Sequence, residues 1–156
     1  MKLSVLCIGK TRERFIQEGI EKYLRYLNPY AETELKALKE EKIRNLKDAP
    51  AIRKKEAERI FKAVPAGSYI VSLDERGEEF TSHEFAAFLN NALESGVRDM
   101  VFILGGSMGL HEQVIAGSNK TVALSRWTFT HEMARLVLLE QLYRAFTIIK
   151  GKTYHY

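Results

Sequence analysis

Residues 99–109 read Asp99-Met100-Val101-Phe102-Ile103-Leu104-Gly105-Gly106-Ser107-Met108-Gly109. The first six are nearly all apolar, the pattern of a central strand covered on both faces of a sheet. They run without a break into three glycines. The carboxyl edge of an α/β sheet is where ligands bind. Glycines at that edge expose backbone N–H and C=O groups and let a ligand approach the main chain. The spacing G-G-S-x-G is not the dinucleotide fingerprint, and no Gly-Lys-Ser or Gly-Lys-Thr is present, so the turn is no P-loop. A phosphate-handling enzyme is disfavoured on that ground. A tight strand-to-helix turn accounts for the spacing as well as a ligand site does.

Outward from this strand, the pattern alternates. Lys2–Ile8 is an apolar, β-leaning run ended by Gly9 and predicts a buried first strand. Phe15, Ile16, Ile20, Tyr23, Leu24 and Leu27 recur near helical spacing, which predicts a helix over Glu13–Leu27, stopped by Asn28-Pro29. Ala31–Leu38 alternates as a strand. Lys39–Asp48 is charged and patternless, a mobile loop. Pro50 opens a helix to about Val64, with Ile52, Ala57, Ile60 and Phe61 facing inward. Tyr69–Leu73 is a third strand, and Asp74–Glu79 an acidic turn around Gly77. Thr81 and Glu84 have capping-box spacing for a helix to Ser95. A short helix at Glu112–Ala116, a strand at Lys120–Leu124, a loop to Thr130 and a last helix at His131–Ile149 follow, with Gly151–Tyr156 as a tail. Strands alternating with helices make an α/β protein with a mostly parallel sheet. No linker or repeat divides it, so residues 1–156 are expected to form a single domain.

Of the 156 residues, 24 are Lys or Arg and 20 Asp or Glu, a net charge of +4. The ends are basic (net +6 over 1–62 and +3 over 111–156) and the middle acidic (net −5 over 63–110). Such ends suit nucleic acid, and equally an ordinary solvated surface. The single cysteine, Cys7, sits between Leu6 and Ile8 and is expected to pack as a small hydrophobe. Without cysteine pairs, a Cys-based zinc module is excluded and a reducing compartment is expected. No run reaches the roughly 20 apolar residues of a membrane span. Met1-Lys2 leads into a strand rather than a signal peptide, so a mature, soluble, cytoplasmic chain is expected.

Three further segments carry chemistry. Leu124-Ser125-Arg126-Trp127-Thr128-Phe129 follows the fifth strand and should open on the same sheet edge as Gly105. Its hydroxyls and aromatics suit an adenine or ribose pocket, and equally a plain loop with one satellite aromatic cluster. Leu136-Val137-Leu138-Leu139 is apolar on every face of the last helix, as at a subunit interface or in a central core helix. In the tail, Lys150, Lys152, Tyr154, His155 and Tyr156 join charge, aromatics and a titratable group. Such groups stack on unpaired bases and meet phosphates, although a disordered terminus accounts for the segment equally well. The histidines His83, His111, His131 and His155 do not have metal-ligand spacing, and no metal is expected.

In order, Phe102–His111, the Leu124–Phe129 loop, Thr130-His131-Glu132-Met133-Ala134-Arg135 running on to Glu140–Ala145, the Tyr154-His155 ending and the opening strand with Gly9-Lys10 resemble one family. It is the ribosomal RNA large-subunit methyltransferase H family, small knotted methyltransferases of the SPOUT class. The resemblance spans the whole chain. It implies an α/β fold with a C-terminal trefoil knot, and a homodimer that binds S-adenosylmethionine in the knot. It further implies methylation of N3 of a pseudouridine in a 23S ribosomal RNA stem-loop on the assembled ribosome. Matching positions place cofactor contacts at Leu73, Gly105 and Leu124, Ser125, Arg126, Trp127, Thr128 and Phe129. The chain departs from relatives with a basic residue after Tyr-His, since Tyr156 stands there.

The reaction so implied needs an acceptor held in line with an activated methyl group. The N3 imide must also lose its proton to a base. His155 and Tyr154 are candidates for the base by residue type, and Arg135 for steadying the imide anion. The rival expectation is a non-catalytic basic module that binds RNA or the ribosome.

Overall fold

The structure, a computed structural model, describes residues 1–154; His155 and Tyr156 lie outside the described residues. Five parallel strands form one sheet in the order β2-β1-β4-β3-β5. They are β1 (Lys2–Ile8), β2 (Glu32–Leu38), β3 (Tyr69–Glu79), β4 (Asp99–Leu104) and β5 (Lys120–Ala123). Helices α1 (Arg14–Leu27), α2 (Ala49–Ala63), α3 (Ser82–Glu94), α4 (Glu112–Ala116) and α5 (His131–Ile149) cover both faces. The central position of β4 explains its composition. Met100, Phe102 and Leu104 point into the core shared with α1, α3 and α5, whereas Val101 and Ile103 point into the core shared with α2 and α4. β1 divides the same way, with Leu3, Val5 and Cys7 on one face and Leu6 and Ile8 on the other. Cys7 is buried, and burial pushes its thiol above the usual range.

α5 packs against both α1 and α3. At the α1 contact, a Cβ on Gly19 would lie 2.8 Å from Leu136 Cδ1, so the glycine lets the two helices approach. Leu138 and Leu139 are fully buried in this core, while Leu136 and Val137 remain half-buried. Thr81 and Glu84 form the expected capping box, Thr81 Oγ1 accepting from the Glu84 N–H and Glu84 Oε2 from the Thr81 N–H.

The structure corrects three expectations. Asp74–Glu79 is no simple turn: β3 continues through it, with a register shift between Leu73 and Glu78 that makes both partners of Val122. The bulged segment crosses β5 so closely that a Cβ on Gly77 would come within 2.5 Å of the Val122 backbone, which only glycine allows. Phe61 is 47% exposed rather than inward, because α2 buries the stripe Ile52-Glu56-Ala57-Ile60 and Phe61 lies beside it. Within the 39–48 loop, Leu46–Asp48 form a short 3₁₀ turn, with Asn45 Oδ1 accepting from the Lys47 N–H.

Candidate active site

The carboxyl ends of β4, β3 and β5, adjacent in the sheet, open into one cleft of about 860 Å³. Its walls are two loops. The first is the glycine turn, closed by the Gly109 N–H donating to the Gly106 carbonyl at 3.0 Å. A Cβ on Gly105 would stand 2.7 Å from the Gly109 carbonyl carbon and 3.0 Å from the Leu110 nitrogen. Glycine is therefore required by the turn itself. The second wall is residues 124–129, where Ser125 Oγ accepts from the Trp127 N–H at 2.9 Å and the Trp127 indole is 79% exposed.

Leu73, Gly105, Leu124, Ser125, Arg126, Trp127, Thr128 and Phe129 all line this cleft. The sequence pattern did not single out Asp74, Glu75, Arg76, Glu112 and Arg53 as site residues, and they line it too. Asp74–Arg76 reach it because β3 bulges there, a feature without a signature in the residues themselves. Arg76 donates to Asp74 at 2.8 Å and to Glu112 at 3.1 Å. The Arg76 hydrogen bond holds the Asp74 carboxyl below its usual range. Across the cleft Arg126 pairs with Glu79 at 3.0 Å.

At the same edge the start of α5 fastens the loop that follows β1. Glu132 Oε2 accepts from the backbone N–H groups of Arg12 (2.9 Å) and Glu13 (3.0 Å). Arg135 donates from Nη2 to the Ile8 carbonyl at 2.6 Å and from Nη1 to Thr11 Oγ1 at 2.8 Å. Arg135, the candidate for steadying the imide anion, is fully buried. A side chain without exposed surface touches no acceptor, and Arg135 instead positions residues 8–11. Replacing it with Met is expected to cost about 1–3 kcal/mol for each buried acceptor left without a donor, read by urea unfolding.

Burial pushes the Glu132 carboxyl up, but the Glu13 and Arg12 N–H groups and the nearby Arg135 charge outweigh it, leaving the group below the usual range. A lowered carboxyl stabilises the fold above its unfolded pKa, and that contribution disappears as pH falls through the folded value. Wild type is therefore expected to exceed Glu132→Gln in stability at pH 7, with the gap closing in acid below pH ~4. Unfolding curves across that range check it; a gap independent of pH would contradict the ionised role.

Tyr154, the last described residue of the tail, lies elsewhere. The Tyr154 ring packs edge-on against Tyr143 at 4.7 Å, below Arg144 at 5.0 Å, with its hydroxyl 3.4 Å from that of Tyr23. None of these residues lines the cleft. Tyr143 is nine residues along α5 from Ala134 at the cleft, about 14 Å of helix. Burial, then the Tyr23 hydrogen bond, push the Tyr154 phenol up to about 12.

Residues 1–155 match the family model described as "Predicted SPOUT methyltransferase". The chain belongs to the SPOUT methyltransferase family. Within it, the chain is 42% identical over 156 residues to the ribosomal RNA large subunit methyltransferase H of Geotalea daltonii, covering all of both chains. It is 44% identical over 156 residues to the proteins of that name from Geobacter metallireducens (all of this chain, 99% of the relative) and Kosmotoga olearia (all of both). Among solved structures, a probable methyltransferase from Bordetella pertussis Tohama I has a TM-score of 0.58 at 11% identity, over 92% of this chain and 95% of that one. A probable methylase family protein from Haemophilus influenzae Rd KW20 has 0.54 at 14%, over 99% of this chain and 70% of that one. At those identities the two structures speak for the fold of this SPOUT methyltransferase.

Proposed function

We propose that this SPOUT methyltransferase transfers a methyl group from S-adenosylmethionine to N3 of a pseudouridine in a 23S ribosomal RNA stem-loop on the assembled ribosome. It would act in the cytoplasm as a homodimer with a knotted C-terminal part. The observation that carries the cofactor reading is the convergence of Leu73, Gly105 and Leu124–Phe129 on one cleft. The full-length likeness to ribosomal RNA large subunit methyltransferase H proteins supports the RNA substrate.

The residues present fit the cofactor. The cleft lies in the size range of ligand pockets, roughly 300–1,000 Å³. The glycine turn leaves main-chain groups open to an adenine or ribose, and Leu73, Leu124 and Phe129 offer apolar walls. Once bound there, the cofactor supplies a sulfonium methyl already activated for transfer. What remains for the chain is to orient the acceptor and remove the imide proton from N3. A phenol held near 12 is almost wholly protonated at neutral pH, which favours His155 over Tyr154 as the base. His155 lies outside the described residues.

Tyr154 packs far along α5 from its own cleft, which supports a dimer in which the tail serving a cleft comes from the second copy. Half-buried Val137 on α5 supports such a pairing. Val137→Glu is expected to shift the mass measured by light scattering to near 17.9 kDa at micromolar concentration. Leu138→Glu, at 1% exposure, should unfold the chain and is no test of assembly. A monomeric wild type would remove the dimer.

The test of function is methylation of ribosomes with labelled S-adenosylmethionine and mapping of the product base. Label on another base overturns the target. Ribosome binding without S-adenosylmethionine binding would mark a non-catalytic RNA-binding module instead.

A further inference from the structure

Three arginines line the cleft. Arg76 is neutralised by Asp74 and Glu112, and Arg126 by Glu79. Arg53, half-buried in the first turns of α2, has no hydrogen bond or ion pair among the described residues. A guanidinium held at the wall of a cleft without a carboxylate partner is a free anion site in electrostatic terms, and its planar fork suits a phosphate.

Arg53 is also the inner end of a charged arm. Residues 39–55, the β2–α2 connection and the start of α2, hold seven basic and three acidic residues. Two of those acids are already engaged: Glu40 with Arg12, and Glu41 with Arg59. Lys42, Arg44 and Lys47 are exposed and carry no ion pair among the described residues. Between them Leu46 is 74% exposed. Such a segment gains little from packing on its own protein, whereas cations interspersed with apolar side chains meet the phosphates and the sugar and base faces of RNA.

We infer that residues 39–55 form an RNA-docking arm that holds backbone phosphates beside the cleft, with Arg53 making the innermost phosphate contact. This deepens the proposed function by assigning a surface of this chain to its RNA substrate, and it rests on that reading only for the identity of the RNA. The arm's position matters. A contact beside the cleft fixes the register of the strand that delivers the acceptor, since phosphate contacts position while others specify.

The test uses the full chain, a protein-free 23S ribosomal RNA fragment as probe, and no methyl transfer. Binding is measured across a salt series. Each phosphate contact adds about 0.7–0.9 to the slope of log K against log salt. Arg53→Gln is expected to weaken RNA binding about fivefold to tenfold and to flatten the slope by about one contact. The double variant Arg44→Glu, Lys47→Glu should flatten it by about two. S-adenosylmethionine affinity, measured by calorimetry, should stay within about twofold in the double variant, since Arg44 and Lys47 do not line the cleft. RNA binding and slope unchanged in both variants overturn the arm. So does a wild type that fails to bind the fragment at low salt. Loss of S-adenosylmethionine affinity in Arg53→Gln with RNA binding intact would place Arg53 on the cofactor's carboxylate instead. Weakened binding to whole ribosomes but not to protein-free RNA would mean a ribosomal protein contact, which also overturns it. A wild type that binds RNA through the arm yet methylates no ribosome would leave the arm standing and remove the methyltransferase reading.

Discussion

Gly105→Ala is expected to lower S-adenosylmethionine affinity at least a hundredfold, close to what Gly105→Arg would do. The reason lies in the turn. The added Cβ would stand 2.7 Å from the Gly109 carbonyl carbon, 3.0 Å from its oxygen and 3.0 Å from the Leu110 nitrogen. All three are backbone atoms, so no rotamer change relieves the contact. The turn must open, and with it the bond from the Gly109 N–H to the Gly106 carbonyl. That moves one whole wall of the cleft against the Leu124–Phe129 wall. A displacement of about 1 Å in a site built by two facing loops costs about a hundredfold where geometry is critical. Calorimetry of the variant, with circular dichroism to verify the fold, checks the result. Gly67→Ala is the control. Gly67 has a restrictive φ of +79, which Gly105 does not, but nothing lies within 4 Å of its Cβ position and it does not line the cleft. It should lose some stability and keep full affinity. Equal affinity loss in both variants would mean that general destabilisation, rather than the turn, governs binding.

The same turn shows what the residues reveal and what they hide. β1, β4, α4 and α5 are readable to the residue, because each is bounded by a glycine, a cap or a change of hydrophobic period. β4 shows its central place directly: five consecutive buried side chains leave no face for solvent. The location of the cleft follows from that strand and the glycines after it. The walls that come from β3 do not follow. Asp74–Glu79 has turn composition, and only the close crossing of Gly77 over Val122 makes it a bulged strand extension. Strand order is equally silent, since β5 pairs with β3 and not with β4, which precedes it. Arg135 misleads for a related reason. An arginine one turn into the helix reads as ligand-facing, but the packing of α5 beside the β1 loop buries it against Ile8 and Thr11. Phe61 errs in the opposite sense, an aromatic one position off the buried stripe of α2.

Deleting residues 154–156 is expected to keep S-adenosylmethionine binding and the dimer while lowering ribosome methylation at least tenfold. His155→Ala should reproduce most of that loss, with about two to four powers of ten as the range for a missing general base. Tyr154→Phe should show little, because its phenol is protonated at neutral pH and the ring, not the hydroxyl, packs on Tyr143. The placement of Tyr154 beside Tyr143 and Arg144, away from its own cleft, adds a sharper expectation about whose tail serves whose cleft. Mixing a Gly105→Ala chain, which has a tail but no competent cleft, with a tail-deleted chain, which has a cleft but no tail, separates the two arrangements. If each cleft uses its own tail, both sites of the mixed dimer are dead and the mixture is as inactive as its parts. If each cleft uses the partner's tail, a two-fold dimer gains one complete site per mixed pair. Random reassortment of equal amounts then restores about a quarter of wild-type activity. Native mass measurement confirms that mixed dimers form. A mixture that contains them and stays inactive would refute the shared site and return the tail to its own chain.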